Sequence, residues 1–417
     1  MRPQKKFKAI PFPQHYELDL TIESLSNHGD GVARIDVPEQ KLTNWVIFVP
    51  FTIPGETIRA RITSNKKNCS LAELIEVITP SKNRVEPECR LFQLCGGCQY
   101  QHMDYDLQIE WKTKQVEELL KYMISTEYKV NPAIPSPKPY LYRSKLTPHF
   151  RKPYNGKISN IGFVSKQGGR EYLDIATCPI AMEEINLALP QVRKKTHTLA
   201  KQYKKDSTLL LRSTLNANGT ERRVESDLEA IIFEQVGDLT FNFLAKDFFQ
   251  NNPFILPAFI KYTVQQATQS NNKFLIDAYC GSGLFALSLA KHFDKVTGIE
   301  VSESSTSWAR QNAKFNNIDN TEFITASAEA IFKSVNFPAD QTTVVIDPPR
   351  AGCSQEFLNQ LFNYAPDTCV YISCEPATQM RDLKYFQESG YQIQDIQPFD
   401  LFPQTRHLEC IVTLIRG

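Results

Sequence analysis

Over residues 14–79 apolar and polar positions alternate with period two, in short runs broken by Pro, Gly, Asn and Lys. Tyr16–Glu17–Leu18–Asp19–Leu20–Thr21–Ile22 is the clearest run. Past the turn Asn27–His28–Gly29–Asp30–Gly31 come Trp45 to Phe51, Thr57 to Thr63 and Leu71 to Val77. Alternation puts every second side chain on one face, and several short strands in one span predict an OB-like β-barrel. Asp104 to Met123 changes period: Leu107, Trp111, Val116, Leu119 and Leu120 fall on one side of a helix. Residues 140–245 mix the two patterns, with strands near Ile158–Val164 and Ile231–Phe243 and a basic helix candidate at Arg193–Lys205. From residue 246 strands and helices alternate. Lys273–Ala278, Val296–Glu300, Thr321–Thr325, Thr342–Asp347, Thr368–Ser373 and Leu408–Leu414 read as buried strands, with helices at Leu284–Phe293, Ser304–Asn316, Gln355–Tyr364 and Pro376–Glu388. That alternation predicts an α/β fold with a doubly wound, Rossmann-like parallel sheet. The expected domains are 1–79, a central mixed α+β domain at 80–245, and 246–417.

Composition narrows the picture. At 417 residues and 41% hydrophobic content, the chain can build more than one core. No apolar run reaches the ~18 residues of a membrane span. The basic N-terminus lacks the apolar stretch of a secretory signal. Ten cysteines without such a signal point to a reducing compartment, the cytoplasm, and to metal or catalytic roles for thiols. A monomer is expected. The net charge of +1 hides an asymmetry: residues 1–245 carry 34 Lys+Arg against 28 Asp+Glu, and residues 246–417 carry 13 against 18. Lys138, Arg143, Lys145, Arg151, Lys152, Lys157, Lys166 and Arg170 form a run without an acid, interleaved with Tyr140, Tyr142, Phe150, Tyr154 and Phe163. Cations neutralise phosphates and aromatic faces stack unpaired bases, so the run is a candidate RNA surface.

Asp277–Ala278–Tyr279–Cys280–Gly281–Ser282–Gly283 follows a strand and opens a helix. Gly281 and Gly283 allow a tight turn and a close ligand approach. Glu300, at the end of the next strand, suits the ribose hydroxyls of a nucleotide. An acid at Asp277 would repel a pyrophosphate but suits the ammonium and sulfonium of S-adenosylmethionine, which is therefore preferred over NAD.

Two more strand ends carry chemistry. Asp347–Pro348–Pro349–Arg350 ends one, and Cys374 follows another. Sites in open α/β sheets lie at such carboxyl ends. A thiolate beside a methyl donor suggests covalent activation of a pyrimidine: addition at C6 makes C5 nucleophilic, and a base then removes the C5 proton. Cys374 is the candidate nucleophile and Glu409 the candidate base, with Asp347 near the uracil edge or the donor. A base in folded RNA must be flipped out first. Separately, Cys89, Cys95 and Cys98, with Cys178, offer four thiolates for zinc or an iron–sulfur cluster, which spacing alone does not separate.

The chain resembles the RNA uracil-5-methyltransferases. The resemblance rests on Phe248–Phe249–Gln250–Asn251–Asn252, the 277–283 loop, Val345–Ile346–Asp347–Pro348–Pro349–Arg350, Ile372–Ser373–Cys374–Glu375–Pro376 and His407–Leu408–Glu409. It implies Cys374 as nucleophile, Glu409 as proton acceptor, and Gln250, Tyr279, Glu300 and Asp347 around S-adenosylmethionine. It further implies an N-terminal TRAM-like RNA-binding barrel and a 4Fe–4S cluster on Cys89, Cys95, Cys98 and Cys178. The target would be a uridine of structured RNA, with ribosomal RNA favoured over transfer RNA. Glu375 stands where the family usually has Asn, and a carboxylate there would raise the thiol pKa. The rival readings are an RNA cytosine-5-methyltransferase and a non-catalytic, redox-responsive RNA-binding protein.

Overall fold

The computed structural model describes residues 8–124, 128–166, 168–169, 172–216, 219–327, 332 and 335–417. The basic N-terminal residues 1–7 and Arg170 of the basic run lie outside them. Two compact units emerge: residues 1–111 with 164–169 and 404–406, and residues 112–163 with 170–403 and 407–417.

The first unit holds a six-stranded sheet in the spatial order Glu17–Thr21, Thr57–Asn65, Cys69–Thr79, Leu42–Pro50, Asp30–Val37, Ser24–Leu25. The period-two pattern is its cause. Ile58, Ala60 and Ile62 face a core with Leu20, Ile47 and Val49. Arg59 and Arg61 face outward and pair with Asp19 and Glu17 across the register. Asp30–Val37, read only as the tail of a turn, is a full strand. It packs so closely that a Cβ on Gly31 would fall 2.0 Å from Thr52 Oγ1.

The second unit is built on a seven-stranded sheet. Its strands are β1 (Phe274–Ala278), β2 (Lys295–Glu300), β3 (Thr321–Thr325), β4 (Thr342–Ile346), β5 (Thr368–Ser373), β6 (Tyr391–Phe399) and β7 (Glu409–Arg416), in the order β3-β2-β1-β4-β5-β7-β6. All pairs from β3 to β5 are parallel, and β7 runs antiparallel to both neighbours. Every residue of β4 and β5 is buried, the mark of strands covered on both faces. Helices Gln355–Tyr364 and Pro376–Glu388 lie where the periodicity put them. Helix Leu256–Ala267 and strand β6 were not foreseen. β6 contains Pro398, which cannot donate to a ladder and is tolerated because β6 is an edge strand. Among the described residues no helix is long and apolar enough to cross a membrane.

The loop from β6 to β7 is tied down by one buried lysine. Lys112, on helix Tyr105–Ile124, donates from Nζ to Asp400 Oδ1 at 2.5 Å, His407 O at 2.9 Å and Phe402 O at 3.2 Å. Both side chains of the pair are fully buried. Removing one partner of such a pair strands a charge in a dry interior. Lys112→Met is expected to lower stability by about 3–5 kcal/mol, read as a drop in the urea midpoint. An unchanged midpoint would show that Asp400 needs no partner.

Candidate active site

Ser373 of β5 pairs with Cys410 of β7 in antiparallel register. One step outward along each strand sets Cys374 across from Glu409, and such cross-strand neighbours have Cβ atoms about 4.5–5.5 Å apart. Glu409 is buried and Cys374 half-buried. Just inside the pair, Gln379 Nε2 donates to Tyr371 O at 2.9 Å and Cys410 O at 3.0 Å, stapling the two strands. Ala278 pairs with Ile346 and with Ile299. Tyr279, Asp347 and Glu300 therefore form one row at the carboxyl edge of β1, β4 and β2.

Charge is crowded here. Burial pushes the Cys374 thiol up to about 12, with Glu409 and Asp347 adding repulsion, while Arg350 opposes them by its charge and by a hydrogen bond to the thiol. Burial, then Asp347, holds Glu409 well above the usual carboxylate range, and Arg350 works against that. Burial raises Asp347 as well. The expectation for Glu375 is corrected: the carboxylates that raise the thiol are Glu409 and Asp347. Glu375 acts through its backbone, donating from N to Ser373 Oγ and accepting from Thr378 at the start of helix Pro376–Glu388. A thiol just before a helix N-terminus gains some stabilisation of its thiolate.

Arg350 is the residue that the sequence reading passed over, although it ends the Asp–Pro–Pro–Arg run. Thr378 Oγ1 donates to Arg350 O at 3.1 Å and to Glu375 O at 2.9 Å, joining its loop to the segment that carries Cys374. Buried Asp382 accepts from Cys353 N at 2.9 Å and Tyr371 OH at 2.7 Å. Gly352, at φ +77°, could not carry a side chain, because its Cβ would lie 2.7 Å from Asp382 Oδ2.

The glycine loop fits S-adenosylmethionine. Gly281 has φ +54°, with nothing within 4 Å of where a Cβ would stand, so its face is open to a ligand. Gly283, at φ +92°, is closed in by Leu287 and Ala309 and serves helix packing instead. Tyr279 also takes a left-handed conformation, at φ +66°. Glu300 accepts from Gly281 N at 3.2 Å and Ser302 N at 2.9 Å, which fixes its carboxylate beside the loop. Asp277 Oδ2 caps the next helix through Ala286 N at 2.7 Å, while Oδ1 is buried with no hydrogen-bond partner among the described residues. Burial, then Asp347 and Glu300, keeps Asp277 well above the usual carboxylate range. A cationic ligand relieves such crowding. Gln250 is buried, and no hydrogen bond among the described residues ties it to this row.

Two expectations fare differently. Cys89, Cys95 and Cys98 lie on one loop of the first unit, where Gly97 N donates to Cys95 Sγ at 3.4 Å. Cys178 belongs to the second unit, where Asn186 holds its backbone. Among the described residues no group of three or more His, Cys, Asp or Glu could hold a metal ion. The geometry therefore adds no support for the closed set of thiols that a cluster needs. Much of the basic run is engaged within the protein. Arg151 pairs with Asp206, Lys166 with Asp30, and Lys145 donates to Lys246 O and Asp247 O. Burial brings Lys145 down to about 8. Tyr142 and Phe150 are fully buried, so they stack in the core and not on bases, whereas Tyr154 is 82% exposed.

Comparison with known proteins gives a consistent picture. A family model described as tRNA (Uracil-5-)-methyltransferase matches residues 193–417, and a TRAM domain model matches residues 16–75. The tRNA (uracil(54)-C(5))-methyltransferase of Schizosaccharomyces pombe is 40% identical, covering 98% of this chain and 80% of that protein. The enzyme of the same name from Saccharomyces cerevisiae is 32% identical, over 98% and 75%. The Pyrococcus abyssi tRNA (uracil-54, C5)-methyltransferase in complex with S-adenosyl-L-homocysteine superposes with a TM-score of 0.71 at 24% identity, covering 95% of this chain and 100% of that one.

Arg350→Gln takes away the cation that opposes Glu409 and Asp347 at the Cys374 thiol. Each unit by which the thiol pKa then rises removes about nine-tenths of the thiolate at neutral pH. Alkylation of Cys374 by iodoacetamide, followed by peptide mass spectrometry, should slow about tenfold and recover as pH rises. Equal rates at every pH would deny Arg350 this part.

Proposed function

The chain belongs to the tRNA (uracil-5-)-methyltransferase family, and from that premise we propose that it methylates C5 of one uridine in transfer RNA through a covalent bond between Cys374 and C6 of the base. The observation that carries the reading is the β5–β7 register, which sets a thiol opposite a buried carboxyl at the carboxyl edge of the sheet. The expectation of ribosomal RNA gives way, because the named relatives act on uracil 54 of transfer RNA. Uridine 54 is accordingly the proposed target.

The residues divide the work as follows. S-adenosylmethionine supplies an electrophilic methyl group when bound. Gly281 gives it an open backbone, Glu300 receives the ribose hydroxyls, and Tyr279 and Asp347 complete its walls, with Gln250 proposed as a further contact. Arg350 favours the Cys374 thiolate, which adds to C6 of a uracil flipped from its stack. C5 gains nucleophilic character and takes the methyl group. Glu409, ionised, removes the C5 proton, and the electron pair left behind expels the thiolate from C6. Asp347 and Glu409 repel each other when both are charged, so Asp347 holds a proton while Glu409 is ionised, and the proton taken from C5 goes onto Glu409, whose neutral form burial favours. The remaining assignments are part of the same proposal: boundaries at 79/80 and 245/246, a cytoplasmic monomer, and an iron–sulfur cluster on Cys89, Cys95, Cys98 and Cys178. That cluster rests on the family resemblance of the cysteine spacing alone, and no step depends on it.

Methyl-labelled S-adenosylmethionine with separate pools of unmodified transfer and ribosomal RNA, followed by nucleoside mass spectrometry, tests the reaction. Labelled 5-methyluridine from transfer RNA is expected; 5-methylcytidine, or product from ribosomal RNA alone, would overturn the assignment. Cys374→Ala should form no product and no adduct. Glu409→Gln should leave RNA covalently attached on a denaturing gel, because the C5 proton stays in place. Iron and acid-labile sulfide should be present in the wild type and fall in Cys178→Ala; full retention, or zinc in place of iron, would remove the cluster.

A further inference from the structure

We propose that Lys194, Lys201, Lys204 and Lys205, with Lys152, Lys157 and Tyr154, form a docking surface for the phosphate backbone of the RNA substrate, an inference that rests on the RNA-modifying reading above. The sequence run between residues 138 and 170 spends most of its cations inside the protein. Its free cations Lys152 and Lys157 stand beside a second basic stretch. From Arg193 to Lys205 the chain has six Lys or Arg and no acid. Arg193 is consumed by Asp174, but Lys194, Lys195, Lys201, Lys204 and Lys205 are exposed. None of these lysines is in an ion pair with a described residue.

The fold gathers them. Helix Glu183–Thr198 runs on into the turn Ala200–Gln202. Lys194 lies near the end of the helix and Lys201 in the turn that follows it. Lys204 Nζ donates to Lys201 O at 3.0 Å, which holds these two lysines close. A second segment meets the first. Tyr154 and Lys157 exchange backbone hydrogen bonds of 2.9 and 3.0 Å around Asn155–Gly156, a hairpin turn with both central residues left-handed. A Cβ on Gly156 would lie 3.3 Å from Lys201 Cγ, so this turn rests on the lysine stem. Asp206, the acid next to Lys205, is neutralised by Arg151 and by the backbone of Lys152.

The result is a cationic face with one aromatic ring standing on it. Tyr154 is 82% exposed, and its burial against the core contributes little. A ring presented to water among cations fits an unpaired base beside its phosphates. An acidic peptide or an anionic membrane would use the lysines but leaves the ring unexplained.

The test uses the full chain and filter binding of transfer RNA across a salt series. The triple substitution Lys201→Gln, Lys204→Gln and Lys205→Gln should weaken binding about tenfold and make the salt dependence shallower by about 3, roughly one for each phosphate no longer neutralised. Tyr154→Ala should weaken binding with the salt slope unchanged, since stacking releases no counterions. In turnover, both variants should raise KM for RNA and leave kcat alone. Their affinity for S-adenosylmethionine and their urea midpoint should match the wild type, which excludes misfolding. Wild-type slope and affinity in the triple variant would overturn the surface. So would loss of binding to phosphatidylserine vesicles with RNA binding intact, which would assign it to a membrane. A wild type that binds RNA through these lysines but methylates none would sink the enzymatic reading and keep the surface.

Discussion

The pairing of Ser373 with Cys410 is the constraint on which the site depends. Side chains alternate along a strand, so a slip of one residue would turn Cys374 and Glu409 to opposite faces of the sheet. Three features hold the register. Gln379 bridges the two strands from the helix that follows the thiol. Apolar residues on both faces of β5 and β7 fill two cores, with Ile372 and Ile411 in one and Tyr371 and Val412 in the other. Lys112 fixes the loop that delivers β7. None of these groups need touch a ligand, yet each helps hold the Cys374 thiol opposite the Glu409 carboxyl.

Around that pair the protein collects acids where water is scarce. Asp277, Glu300, Asp347 and Glu409 all come from the carboxyl ends of strands or the start of β7. Strand ends are where an α/β sheet exposes functional groups, and a parallel arrangement brings several of them into one row. Burial pushes Asp277, Asp347 and Glu409 toward the neutral form, and neighbouring acids add to that push at Asp277 and Glu409. Arg350 is the local counterweight. Two prolines and the Thr378 hydroxyl keep its backbone from wandering.

Much of this was legible in the chain itself. Continuous apolar runs marked out β4 and β5, and the residues just beyond them, Asp347 and Cys374, followed from the rule for strand ends. Cross-strand facing was not legible, because it depends on β7 entering antiparallel beside β5, which only the register reveals. Local pattern also failed where tertiary context decides. β6 carries Pro398 and polar Gln392, Gln394 and Gln397, and it stands because it lies at an edge. Tyr142 and Phe150 looked like stacking platforms in a basic run, yet both are core residues. Cys89, Cys95, Cys98 and Cys178 are legible as a set of four thiols, but spacing does not separate zinc from an iron–sulfur cluster. Glu375 was expected to act through its charge and acts through its backbone.

The crowded acids also tie the charge of this edge of the sheet to what lies on it. Asp277, Asp347 and Glu409 stand there with their neutral forms favoured by burial. A cation among them would draw them toward ionisation and a polyanion would oppose it, so the protonation of the edge follows the charge of its occupant.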